Sequence, residues 1–247
     1  MSFEELIAEA DAVPVDGWDF SWLDGRATEE RPPWGYQRLM GERMATATVA
    51  LDLQTGGGEV LAGVPRLAPT TVATESWPPN IARARQHLRP RGATVVASRD
   101  DPPFPFRDNA FDLVVSRHPV RVWWLEIARV LAPGGTYLSQ QVGPASVFEL
   151  IEFFLGPRPR DGRQPDAARA SAEAAGLEVV DLRTARPRME FFDIGAVVYF
   201  LRKVIWLVPG FTAAAYLPKL RVLHDRITAA GSFVAHSSRF LVEVRKG

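Results

Sequence analysis

The stretch Thr48-Val49-Ala50-Leu51-Asp52-Leu53-Gln54-Thr55-Gly56-Gly57-Gly58-Glu59 holds the signal from which the fold can be built. A short apolar run ends at an acid, three glycines follow, and then come residues that can start a helix. A run of this length and composition reads as a strand. Consecutive glycines let a backbone approach a ligand without interference from Cβ. In doubly wound sheets, ligands sit beyond the carboxyl ends of the strands, where the strand order reverses. The same turn could serve only as a tight strand–helix connection. Coming after a strand and an acid, it favours a nucleoside site.

Working outward, four more apolar runs read as strands: Thr70–Glu75, Ala93–Ser98, Phe111–Ser116 and Thr136–Gln140. Helical patterns separate them, one from about Pro79 and one from about Val122 to Leu131 that Pro133-Gly134-Gly135 would stop. Strands alternating with helices indicate α/β architecture with a parallel sheet. Beyond these, 146–155 and 166–175 read as helices, 177–182 and 238–244 as strands, and 190–230 as mostly helical and aromatic. Residues 1–45 form an expected N-terminal helical cap segment. The main domain is expected over 46–247, with a helical, aromatic insertion at about 185–232.

The glycine turn is neither of two common phosphate motifs. A dinucleotide fingerprint read from Gly56 and Gly58 needs a third small residue where Leu61 stands. A P-loop needs a lysine after the glycines, and the first lysine after them is Lys203. Glu75 ends the second strand and can accept hydrogen bonds from ribose hydroxyls. Asp100 and Asp101 close the third strand. One of them can accept from an exocyclic adenine amine, or both can serve the turn before Pro102-Pro103.

Four ordered segments now stand together: LDLQTGGGEVL at 51–61, VATES at 72–76, PFPFRDNAFDLVVS at 103–116 and EIARVLAPGGTYL at 126–138. This set resembles the class I S-adenosylmethionine-dependent methyltransferases, and within them the type 11 branch. The resemblance implies a doubly wound, Rossmann-like seven-stranded sheet with its last strand antiparallel, and S-adenosylmethionine as cofactor. It implies that Asp52, Gln54, Thr55, Gly56, Gly57 and Gly58 line the methionine part of that cofactor. Glu75 with Ser76 would hold the ribose, and Asp100 or Asp101 would meet the adenine. Ser116 and Arg117 would border cofactor and substrate. Gln54 occupies the family's first glycine position. A Cβ there could crowd the loop, or be tolerated on an extended backbone, so a non-catalytic cofactor-binding relative stays open as an alternative.

A methyl sulfonium is already activated, so alignment of the acceptor is the main requirement. The absence of cysteine excludes thiolate chemistry and disulfides, and no His/Asp/Glu set has metal-ligand spacing, so no metal is expected. His118, two residues past the fourth strand, is the candidate general base, its ordinary pKa suiting proton removal near neutrality. Arg26, Trp34, Tyr36, His118, Gln140 and Tyr199 are candidate contacts for a small organic substrate. The aromatic-rich segments around Trp18 to Tyr36 and Phe191 to Tyr216 are expected to form a lid. Lys and Arg balance Asp and Glu at 29 each, which disfavours nucleic acid as a partner, and RNA methylation is the runner-up. Arginines at 158, 160 and 163 and at 183, 186 and 188 read as solvated faces. An acidic N-terminus and the lack of a spanning apolar segment point to the cytoplasm rather than a membrane.

Overall fold

A computed structural model describes residues 1–15, 17, 19–159 and 163–247. Trp18 and Arg160 lie outside the described residues. In chain order the first half contains α1 (Phe3–Ala12), β1 (Ala27–Glu29), α2 (Tyr36–Met44), β2 (Val49–Asp52), α3 (Glu59–Ala62), β3 (Thr70–Glu75), α4 (Pro78–Leu88), β4 (Thr94–Ala97) and β5 (Phe111–Arg117). It continues with α5 (Trp124–Val130), β6 (Leu131–Val142), α6 (Phe148–Leu155), α7 (Pro165–Ala174), β7 (Leu177–Ala185), β8 (Arg188–Phe191), α8 (Ile194–Lys203), α9 (Leu217–Ala230), β9 (Phe233–His236) and β10 (Arg239–Lys246).

These elements fall into two compact units. One comprises 32–143, 163–185 and 239–247; the other comprises 1–31, 144–162 and 186–238. The first is built on a seven-stranded sheet of order β4-β3-β2-β5-β6-β10-β7. Neighbours from β4 to β6 run parallel, and β10 is antiparallel to both β6 and β7. The expected Rossmann-like fold is therefore present.

Side-chain alternation explains why this sheet has helices on both faces. Ala50, Leu113, Val115, Leu138 and Leu241 join α2 and α4 in one apolar cluster, with Met40, Met44, Ala84 and Leu88. Their sequence neighbours Leu51, Val114, Tyr137, Phe240 and Val242 point the other way and join Ile127, Val130, Ala168 and Ala172 of α5 and α7. Strands buried on both faces must be apolar at nearly every position, which is why they read as continuous runs.

Two details depart from the sequence expectation. The helix before β6 ends at Val130, not at the Pro-Gly-Gly breaker, and β6 begins at Leu131. Pro133-Gly134-Gly135 lies inside the strand where its register against β5 shifts, and a Cβ on Gly135 would stand 2.8 Å from the Ala132 carbonyl oxygen. The second unit contains an antiparallel sheet of order β1-β8-β9, where the sequence indicated only helix and loop. That sheet packs with α1, α6, α8 and α9 around Phe154, Phe191, Val197 and Leu223, so most aromatics of this segment serve its own core. No helix among the described residues is long and apolar enough to cross a membrane.

Candidate functional site

The order β4-β3-β2-β5 reverses direction at β2, which places the carboxyl end of β2 at the sheet's switch point. Asp52 ends that strand and is 6% exposed. Thr55 Oγ1 donates to its Oδ2 at 2.6 Å. Burial pushes the Asp52 carboxyl up to about 7, against the pull of the Thr55 hydrogen bond and with a small push from the Glu75 charge. The folded protein thus keeps a proton that the unfolded chain releases near pH 4. This contribution to stability is complete at low pH and is lost as pH rises through about 7. We expect Asp52→Asn to match wild type near pH 4 and to exceed it by up to about 4 kcal/mol above pH 8 in urea unfolding. Equal stability of the two proteins at both pH values would show that Asp52 titrates normally.

The glycine turn is held from β3. Glu75 is 6% exposed; its Oε2 accepts from the Gly56 amide at 2.8 Å, and its Oε1 accepts from Ser76 and Trp77 amides at 2.9 and 3.0 Å. Gly56 has φ +65° and open space where a Cβ would be. Gly58 has φ +82°, and a Cβ there would lie 3.0 Å from Leu88 and 3.3 Å from the Ala84 backbone, so α4 packs directly on the turn. Gly57 contributes its carbonyl, which receives a hydrogen bond from His87 Nδ1 at 2.7 Å. The helix after the turn is one turn long, ending before Gly63-Val64-Pro65.

Gln54 neither crowds the loop nor stays extended. It adopts φ +56°, the left-handed conformation that glycine reaches most easily. Its carboxamide crosses to the segment after β5: Oε1 accepts from the Val120 amide at 2.6 Å, and Nε2 donates to the Arg121 carbonyl at 2.9 Å. Arg163 holds the same segment, donating to the carbonyls of Pro119 and Val120 at 2.8 and 2.7 Å. Replacing Gln54 by Gly relieves about 1 kcal/mol of backbone strain and removes two hydrogen bonds of about 1 kcal/mol each. We expect a loss of about 1 kcal/mol, with hydrogen exchange at the Val120 amide accelerated at least tenfold. Unchanged exchange would mean that the carboxamide does not hold the loop.

At the end of β4, Ser76 Oγ donates to Asp100 Oδ2 at 2.8 Å, and Trp123 Nε1 donates to the Asp100 carbonyl at 2.5 Å. Asp101 is exposed and stands 3.9 Å from Arg121. A small hollow lies here, lined by Leu53, Gln54, Thr74, Ser98, Arg99, Asp100 and Phe104–Phe106.

Other candidates are placed differently from the sequence expectation. Ser116 is buried, its hydroxyl shared with Tyr137 and Ser139 at 2.8 and 2.9 Å, while Arg117 is exposed. Trp34 and Tyr36 are 2% and 5% exposed because α2 and the residue pair before it pack on the sheet. Tyr36 donates to the Ser116 carbonyl at 2.8 Å, and Trp34 Nε1 donates to Gln140 Oε1 at 2.7 Å. Both rings are therefore internal supports rather than surfaces for a ligand. Arg26 and Tyr199 belong to the other unit. Arg26 meets both Glu9 oxygens at 2.8 Å over the Trp22 ring, and Tyr199 donates to the Asp19 carbonyl at 3.0 Å.

His118 follows β5 with φ +54°. Burial, then the charges of Arg117, Arg239 and Arg163, push its pKa down to about 2. An imidazole this reluctant to take a proton does not suit the role of a near-neutral base that its ordinary pKa suggested. Its Nε2 lies 3.0 Å from Gln140 Nε2.

The sequence reading missed His87, Trp123 and Arg163 as supports of this end of the sheet. His87 sits three residues beyond Ala84, which packs on Gly58, a signal that spacing could have offered; the other two act across long sequence gaps.

The profile of the family described as "Methyltransferase domain" matches residues 51–139, from the end of β2 into β6. No protein of curated function matches this sequence. Several solved structures share the fold. A protein from Bacillus halodurans assigned as a methyltransferase is 16% identical, with TM-score 0.61, over 85% of this chain and 96% of its own. An S-adenosylmethionine-dependent methyltransferase from Mesorhizobium loti is 16% identical, with TM-score 0.52, over 86% and 97%. The cyclase SpnF is 17% identical, with TM-score 0.54, over 99% and 92%. The family match from Leu51 to Ser139 runs from the end of β2 into β6 of a sheet of this order, so this part of the chain is similar to a methyltransferase domain.

Proposed function

We propose that this protein is an enzyme that transfers a methyl group from S-adenosylmethionine to an oxygen, nitrogen or carbon atom of a small organic molecule, by in-line displacement and without a metal. The observation that carries the reading is the pair of buried carboxylates at the switch point, Asp52 and Glu75, on either side of an open glycine turn. When bound, the cofactor supplies a methyl group already activated on a sulfonium. Asp52 suits the cationic methionine part, because its carboxyl is held near pH 7 and a neighbouring cation would draw off its proton. Glu75 has about four lone-pair directions and gives one to the turn and two to the amides before α4, leaving one for a ribose hydroxyl. Asp100, already placed by Ser76 and Trp123, can accept from an adenine amine.

Calorimetric titration with S-adenosylmethionine and with S-adenosylhomocysteine, in two buffers of different ionisation enthalpy, tests the assignment. We expect micromolar binding of both. Near pH 6 the sulfonium ligand should release close to one proton, more than its demethylated product, and above about pH 9 neither should. Folded protein that binds neither ligand would refute the cofactor assignment.

A further inference from the structure

The side chains of Trp34, Gln140 and His118 form a relay in which each proton position is fixed by the one before. An indole Nε1–H can only donate, so the Gln140 atom 2.7 Å from it is the carbonyl oxygen. The amide nitrogen of Gln140 must then face His118, where it lies 3.0 Å from Nε2. That nitrogen carries two protons and no lone pair, so His118 Nε2 accepts and Nδ1 carries the ring proton. Gln140 is 3% exposed and its backbone is fixed in a strand paired on both sides, so the indole decides which way its amide faces. The His118 backbone is tied as well, its amide donating to the Gln140 carbonyl at 2.7 Å. Nδ1 has no hydrogen-bond partner among the described residues and is not sealed from solvent.

We propose that His118 is a preset hydrogen-bond donor whose Nδ1–H receives an anionic oxygen of the methyl acceptor, a carboxylate being the simplest case. This deepens the methyltransferase reading and rests on it. A preset donor positions a substrate without taking its proton, so the acceptor must offer a lone pair at the end of β5. Arg117, Arg163 and Arg239 are the charged groups whose field reaches the imidazole, and all three are positive. Their field favours a negatively charged oxygen over a neutral one and opposes protonation of the ring. His118 is accordingly a specificity-determining residue, and acceptors that present only N–H donors toward it are excluded.

The ¹⁵N spectrum of the imidazoles tests this without any methyl acceptor. With His118 assigned by its disappearance in His118→Phe, the wild-type ring should show a protonated Nδ1 and a bare Nε2, unchanged from pH 5 to 9. Trp34→Phe frees the Gln140 amide to turn and should give a mixture of tautomers. If that variant fails to fold, Gln140→Leu reads the same link, because Nε2 then loses its donor and the two tautomers should mix. Sodium acetate should shift the Nδ1–H resonance with saturation, and methylammonium chloride should not. A protonated Nε2, a titration within that pH range, or equal responses to the two salts would each overturn the proposal. Because these readouts need no cofactor, their failure is distinct from a failure to bind S-adenosylmethionine.

Discussion

Glu75→Ala is expected to abolish measurable S-adenosylmethionine binding and to lower the melting temperature by about 10 °C. The side chain links the glycine turn to the start of α4, its two oxygens receiving the amides of Gly56, Ser76 and Trp77. Truncation takes the acceptor from all three donors. Each costs about 1 kcal/mol or more, and in a chain of this length each kcal/mol lowers the midpoint by about 2–4 °C. The ribose would lose its acceptor in the same step. Glu75→Gln separates the two effects. It keeps one acceptor oxygen but turns an NH₂ group toward a backbone donor, so stability should fall by about half as much while affinity drops at least tenfold. Calorimetry and thermal unfolding of both variants provide the check. An alanine variant that binds the cofactor within threefold of wild type would remove Glu75 from the site.

The second large effect is expected at Arg129, outside the cofactor residues altogether. Its guanidinium donates to both Glu126 oxygens at 2.8 Å, to Asp108 at 2.8 Å, and to the carbonyls of Phe106 and Phe104 at 2.7 and 3.1 Å. Glu126 also accepts from the Phe104 amide at 2.7 Å. The pair therefore fixes the path of Phe104–Asp108, which forms one wall of the hollow beside Asp100. With side-chain exposures of 27% and 15%, Arg129 and Glu126 are largely desolvated, whereas Asp108 at 69% adds little. Arg129→Ala leaves the Glu126 charge without its main partner and two carbonyls without donors. We expect a loss of about 3 kcal/mol in urea unfolding and adenosine affinity weakened about tenfold. Arg129→Lys keeps the charge but not the fork, and should recover less than half of the stability. Full stability in the lysine variant would show that charge alone organises the wall.

The parallel half of the sheet was legible because its strands are buried on both faces, so Val49–Asp52, Thr70–Glu75 and Phe111–Arg117 stand out as apolar runs. The three-stranded sheet was not, because β1, β8 and β9 are three or four residues long and show no alternation that differs from loop. Spacing alone indicated Glu75 and the glycines, since both belong to one strand–turn–strand unit. The carboxamide of Gln54 was opaque: its meaning lies in Val120 and Arg121, more than sixty positions away, and no local pattern announces such a reach. Trp34 and Tyr36 misled for a related reason. An aromatic residue before a first strand can face a ligand or the core, and only the packing of α2 decides which.

In the sheet order β7 is joined to the rest only through β10, which follows it in the chain at Arg239. A growing or refolding chain must therefore hold β6 and β7 apart, with a slot between them, until residues 239–246 slide in antiparallel to both. During that interval two strand edges are open to any passing partner, including the same segment of another molecule. Exchange of β10 between two chains would fill both slots with native register and would need no new contact.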